Sequence, residues 1–281
     1  MQNPTLLMKQ RLTLSFVTLL AATLVGCGGG TSDPAPPNIQ SGSLAYGKSA
    51  TFYVGVTTLN AGTTFSATNC GTMQSTPSSV PNYLTYTCTI NAAGPLVFTG
   101  TDATGKVIAT QAFTVPNPQV LVATSLGNFV MELNQVQAPI STDNFLRYVA
   151  DGFYKDVLFH RVIPNFVIQA GGFTTGPTPK TNTFIPIQLE SQNGLSNLRG
   201  TLAMARTSTP NSATSQFYIN LKDNPSLDYA NAQNPGYAVF GSVTSGLSTV
   251  DAIAAVQTGT VSGMTDVPLV DVTITNIVRI Q

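Results

Sequence analysis

The chain has no tryptophan, one histidine and three cysteines among 281 residues, and only 9% of its residues are charged. With His160 as the sole histidine, and no cysteine or carboxylate cluster at ligand spacing around it, a zinc site has no ligand set. A Ser-His-Asp relay would rest on that residue alone, and a packed structural histidine is the expectation for it. Twelve basic residues are balanced by twelve acidic ones. No Lys/Arg block exists that would neutralise a row of phosphates, which excludes nucleic acid as the partner. Glu132 and Glu190 stand apart, so the paired carboxylates of glycoside hydrolysis are missing. The longest apolar run, Leu12 to Val25, is too short for a comfortable membrane span.

What is plentiful is small, polar and turn-forming: 24 glycines and 18 prolines punctuate runs rich in Thr, Ser and Val. That composition predicts a mainly β chain, and the length suits two domains with tails. At the N-terminus Lys9 and Arg11 precede the apolar run, the pattern of a signal sequence. It closes on Leu24-Val25-Gly26-Cys27, which resembles the lipobox of bacterial lipoproteins. The resemblance implies that residues 1–26 are removed and that Cys27 is lipidated, giving a stable lipid anchor to the membrane. Gly28 after the cysteine points to the outer membrane, with the protein facing the periplasm. Residues 27–39 hold Gly, Ser, Thr and Pro and read as a flexible tether.

Between residues 40 and 118, β-branched and aromatic runs such as Thr51–Val56, Tyr83–Ile90 and Val107–Val115 alternate with turn signals at Gly94-Pro95 and Asp102–Gly105. About seven short strands here suit an immunoglobulin-like β-sandwich. With Cys27 lipidated, Cys70 and Cys88 form an even pair in an exported protein, and a disulfide between them is expected. Such a bridge contributes roughly 3 kcal/mol in the chain-entropy view. No chemistry is legible in this part, and Tyr46, Tyr53, Tyr83 and Tyr86 fit core or cross-strand positions better than a ligand platform. It reads as a spacer or interaction module. Pro116-Asn117-Pro118 marks the boundary.

The remainder, residues 119–281, opens with two alternating runs around Ser125–Asn128, a hairpin signal. A helix follows, with Ser141, Thr142 and Asp143 as candidate N-caps, Phe145, Tyr148 and Val149 as its core face, and Gly152 as its C′ residue. Then comes Phe159–Gly172, in which Arg161 and Gln169 alternate with large apolar residues. Taken as one strand, it places polar groups on the floor of a groove and ends in glycines that admit another chain.

Asn144-Phe145, Gly152-Phe153-Tyr154, Phe159–Pro164, Gln169–Phe173, Gly200–Arg206, Ser212–Ile219 and Tyr237–Gly241 together resemble the cyclophilin-type peptidyl-prolyl isomerases, closely those of the short periplasmic bacterial kind. The likeness covers essentially all of residues 119–281. It implies an eight-stranded, mostly antiparallel β-barrel capped by two α-helices, with the groove on the outer wall. The second helix falls near Leu247–Ala255, and Val270–Ile280 supplies the closing strand.

The implied reaction breaks no bond. Rotation about X-Pro faces a barrier of roughly 18–20 kcal/mol because the C–N bond is partly double. A catalyst need only favour the twisted amide, whose nitrogen regains a lone pair. Resemblance assigns Arg161 as the donor to that nitrogen, with Gln169 as the second catalytic residue. Phe166, Val167, Tyr218 and Leu227 would grip the proline ring, with Val167 where the family usually has Met and Tyr218 where it has Phe. Gln216 joins Gln169 in holding a substrate carbonyl or water, the Arg206 backbone pairs with an extended peptide, and Ala205 and Tyr237 complete the binding set. The implied partners are proline-containing polypeptides; neither cofactor nor metal is expected, and a monomer is. A second reading keeps the groove but drops catalysis, leaving a proline-peptide chaperone or cell-envelope scaffold. Intact Arg161, Phe166 and Gln169 favour the enzyme.

Overall fold

The protein is described from a computed structural model covering residues 36–281 apart from Thr57 and Thr58. The signal sequence, Cys27 and most of the tether lie outside the described residues. Period-two patterning builds the first part of the fold. In β2 (Ser49–Gly55) the even residues Ala50, Phe52 and Val54 are buried, while the side chains between them are more open. Together with β1 (Ile39–Ser41), β3 (Thr64–Ala67), β4 (Gln74–Thr76), β5 (Tyr83–Thr89), β6 (Gly94–Thr101) and β7 (Val107–Val115), it forms two sheets ordered β1-β2-β5-β4 and β3-β6-β7. This is the strand order of seven-stranded immunoglobulin sandwiches. The sheets meet through Phe52 and Phe98, whose ring centres are 4.9 Å apart. A disulfide joins Cys70, in the β3–β4 connection, to Cys88 on β5.

The second part is a closed barrel. Its strands are β8 (Gln119–Thr124), β9 (Gly127–Leu133), β10 (Val157–Ile163), β11 (Val167–Ala170), β14 (Thr201–Met204), β15 (Phe217–Asn220), β16 (Val239–Ser245) and β19 (Thr273–Arg279), ordered β10-β11-β15-β14-β16-β9-β8-β19. Closure pairs β19 back onto β10 and leaves no open sheet edge. Two small hairpins, β12 (Phe173–Thr174) with β13 (Thr178–Pro179) and β17 (Thr258–Val261) with β18 (Met264–Pro268), lie outside the ring.

Helix α1 (Pro139–Ala150) drives Phe145 and Tyr148 into the barrel core, and α2 (Leu247–Ala254) adds Val250 and Ile253. Phe145 meets the rings of Tyr154, Phe217 and Phe240 at 5.0, 5.4 and 5.5 Å. Neither helix is long and apolar enough to cross a membrane, nor is any other among the described residues.

The structure departs from the sequence expectation at α1 and at Phe159–Gly172. Ser141, Thr142 and Asp143 do not cap α1, which starts earlier with Pro139 in its first turn. The Glu190 carboxylate satisfies its free amides instead, accepting from Ile140 N at 2.8 Å and Ser141 N at 2.6 Å. Phe159–Gly172 is not one strand but the hairpin β10–β11, folded at Pro164 and at Asn165, whose φ is 57°. Gly152 follows the last helical turn with φ 68°, as expected of a C′ residue.

Candidate active site

Antiparallel pairing puts directly opposed residues on the same sheet face. The register of β10, β11, β15, β14 and β16 aligns Arg161, Gln169, Tyr218, Ala203 and Val239 in one row. The neighbouring row, Val162, Ile168, Ile219 and Leu202, belongs to the barrel interior. The first row therefore lies on the outer wall, where Val167, Ala203, Tyr218 and Val239 form a separate apolar cluster with Phe166, Ala205, Leu227 and Tyr237 packed on it.

Arg161 reaches this wall through an irregularity. Phe159 pairs with Ala170, yet Arg161 pairs with Gln169, so β10 holds one extra residue, His160. Without that bulge Arg161 would share a face with Phe159, which is in the core. The bulge switches the parity and turns the guanidinium outward.

The wall carries a groove of about 340 Å³ lined by Arg161, Phe166, Val167, Gln169, Ala205, Arg206, Tyr218, Leu227 and Tyr237. Its two arginines differ. Arg206 donates from Nε and Nη2 to the Gly236 carbonyl at 2.9 and 2.8 Å, and its guanidinium lies 4.7 Å from the Tyr237 ring centre. Its side chain is committed to the fold, while its backbone makes no hydrogen bond among the described residues. The Arg161 side chain makes no hydrogen bond among the described residues. Its ionic neighbour among the described residues is Asp266 on β18, with Nε 3.9 Å from Oδ2 and both side chains about 40% exposed. A pair that open is worth under about 1 kcal/mol and leaves the donors available.

Gln169 donates from Nε2 to Gln216 Oε1 at 2.9 Å. Gln216, expected in the groove, is not among the residues that line it; it is partly exposed and serves as the acceptor for Gln169. The Tyr218 hydroxyl, which the usual Phe lacks, is satisfied internally by Asn197 Oδ1 at 2.7 Å. Burial, followed by the neighbouring Tyr237 and Asp228, pushes that hydroxyl far above the ordinary tyrosine range, so it stays protonated. Asn197 itself is fully buried and escaped the sequence reading, because an asparagine in a polar loop carries no periodic signal.

His160 is 3% exposed, packs 4.5 Å from the Phe173 ring centre, and its Nδ1 has no partner among the described residues. Burial, with the Arg161 charge as a smaller cause, lowers its pKa from 6.5 to about 4. It is neutral and inaccessible, and no base role follows. A histidine whose folded pKa lies below its unfolded value stabilises the fold above about pH 6.5 and loses that contribution as pH falls toward 4. The loss is on the order of 3 kcal/mol. Urea unfolding at pH 7 and pH 4.5 is expected to show it in the wild type and to show a smaller loss in His160→Gln. Equal acid losses in both proteins would refute this.

No trio of His, Cys, Asp or Glu among the described residues is placed to hold a metal ion. Residues 119–279 match the family described as cyclophilin type peptidyl-prolyl cis-trans isomerase/CLD. A peptidyl-prolyl cis-trans isomerase of Acinetobacter baylyi is 52% identical over 157 residues, 56% of this chain and 82% of that one. Isomerase cyp18 of Streptomyces antibioticus is 51% identical over 154 residues, 54% of this chain and 92% of that one. Isomerase B of Escherichia coli is 46% identical over 156 residues, 55% and 94% of the two chains. Among solved structures, a cyclophilin-type isomerase of Cryptosporidium parvum superposes with a TM-score of 0.50 at 28% identity, covering 59% of this chain and 98% of that one.

Proposed function

Because the chain belongs to the cyclophilin-type peptidyl-prolyl cis-trans isomerases, we propose that Arg161 and the apolar wall beside it carry out X-Pro rotation on extracytoplasmic polypeptides. The observation that carries this reading is the outer-wall row itself, which sets an uncommitted guanidinium beside an apolar pocket. Phe166, Val167, Tyr218 and Leu227 hold the proline ring by apolar contact. The backbone of Arg206, free of other hydrogen bonds, pairs with the extended peptide as an added strand would. The carbonyl preceding proline then swings while the ring stays fixed. As the amide leaves planarity its nitrogen pyramidalises, and the Arg161 guanidinium donates to the lone pair that appears. That interaction exists in the twisted state and not in the planar one, so it lowers the barrier rather than tightening ground-state binding. Gln169, held by Gln216, positions the moving carbonyl or a water. A protease-coupled assay on an X-Pro tetrapeptide tests the reading; turnover at the spontaneous rate would defeat it.

The address of the enzyme belongs to the same proposal. A lipidated Cys27 and a tether hold the isomerase at the outer membrane, facing the periplasm, where client chains fold without cytosolic isomerases. An immunoglobulin-like module follows the tether in the chain, and the protein works as a monomer. What supports the anchor is the Leu24–Cys27 pattern closing an apolar run. Membrane fractionation of wild type against Cys27→Ser checks it, and equal retention in the membrane fraction would sink it.

A further inference from the structure

The proline pocket is assembled from three segments distant in sequence: Phe166 from the β10–β11 turn, Tyr218 from β15, and Leu227 from a 3-10 turn at Pro225–Leu227. Phe166 adjoins β11, which pairs in register with the β15 of Tyr218, and the Leu221 N–H donates to the Phe166 carbonyl at 2.9 Å; Leu227 belongs to no strand. One buried polar group links all three. Asn197 Oδ1 accepts from the Tyr218 hydroxyl at 2.7 Å and from Asn220 Nδ2 at 3.1 Å. Its Nδ2 and its backbone N–H both donate to Asp228 Oδ1, at 2.8 and 2.7 Å, in the residue next to Leu227. Its carbonyl accepts from Asn224 N at 2.7 Å, and Asn224 Nδ2 donates to the Phe166 carbonyl at 3.0 Å. Asn197 and Asn220 are fully buried and Asn224 is 4% exposed, so water does not compete for these bonds. Asn197 itself touches no part of the groove surface.

Resting on the reading of the groove as the proline site, we propose that Asn197 is a positioning residue of the isomerase, fixing the gap between the three walls of its pocket. A satisfied, buried hydrogen-bond network is rigid, because every alternative arrangement strands a polar atom away from water. Rigidity is what a rotation catalyst needs here: the ring must stay still while the carbonyl moves, and a pocket that yields lets the whole amide turn together. The Tyr218 hydroxyl makes this chain especially dependent on Asn197. Its removal leaves a buried phenol with no acceptor, which must turn toward the groove to find water.

The test is a double-mutant comparison on the full chain, using kcat/KM for an X-Pro tetrapeptide. Asn197→Leu in the wild-type background is expected to lower kcat/KM about tenfold with circular dichroism unchanged. In a Tyr218→Phe background, where no hydroxyl is stranded, the same substitution is expected to cost under about threefold. A loss below about twofold in the wild-type background, or equal losses in the two backgrounds, overturns the proposal. If Asn197→Leu does not fold, Asn197→Ser replaces it, since a serine is too short to bridge Tyr218 and Asp228. Failure of both to fold would place Asn197 in barrel formation rather than pocket geometry and would equally overturn it. An inactive wild type would instead defeat the reading of the groove, a distinct result.

Discussion

Arg161→Ala is expected to lower kcat/KM on an X-Pro tetrapeptide by about a hundredfold to a thousandfold, the usual loss when a preorganised donor to a developing lone pair or anion is removed. The protein is expected to stay folded. The Arg161 side chain is about 40% exposed, makes no hydrogen bond among the described residues, and pairs with Asp266 only at 3.9 Å. Its contribution to stability is therefore small, and a fall in activity reports chemistry. Arg161→Lys separates geometry from charge. Lysine keeps the charge but replaces a planar fork by a flexible ammonium, so it is expected to recover part of the loss and not all. The measurement is the coupled assay beside thermal unfolding. An alanine variant within tenfold of wild type would mean that the apolar walls alone accelerate rotation and that the guanidinium is incidental.

How far the sequence announces this site depends on which physical rule each residue obeys. Alternation is local, so β2, β8 and β9 are readable from their own side chains, and the strands of the two N-terminal sheets emerge except at the edges of one of them. Ile39–Ser41 and Gln74–Thr76 are three residues each, too short to show a period. The pocket residues were legible through motif likeness, and the groove gathers all of them but Gln216. What local pattern hides is anything fixed by an inserted residue or a distant partner. Phe159 and Arg161 have the same parity and should share a face; a bulge at His160 separates them, and nothing in Phe159-His160-Arg161 signals it. Glu190 looks like an isolated acid until α1 is brought over it some fifty residues upstream. Tyr218 looks like a phenol in need of water until Asn197 is found behind it.

Gly171→Ala is expected to destabilise the barrel by about 3 kcal/mol, combining left-handed backbone strain with overpacking against main chain. Gly171 has φ 98°, a region open to glycine, and a β-carbon there would lie against the Ser215 carbonyl oxygen and 2.9 Å from Gln216 Cα. Neither atom is free to give way. The Ser215 carbonyl accepts from the buried Tyr154 hydroxyl at 2.8 Å, and the Ser215 hydroxyl is bonded to the Gly171 carbonyl at 2.6 Å. The neighbouring glycine makes the contrast. At Gly172 the three atoms nearest a β-carbon all belong to the Gln216 side chain, which can swing aside. Swinging aside, however, takes away the partner of Gln169 in the groove. Gly172→Ala is therefore expected to leave unfolding nearly unchanged while lowering kcat/KM about tenfold, about the cost of a lost orienting contact. Urea unfolding and the coupled assay, run on both variants, read the two effects separately. If Gly172→Ala unfolds as early as Gly171→Ala, or keeps full activity, Gln216 is not what orients Gln169 and the adjacent glycines share one structural task.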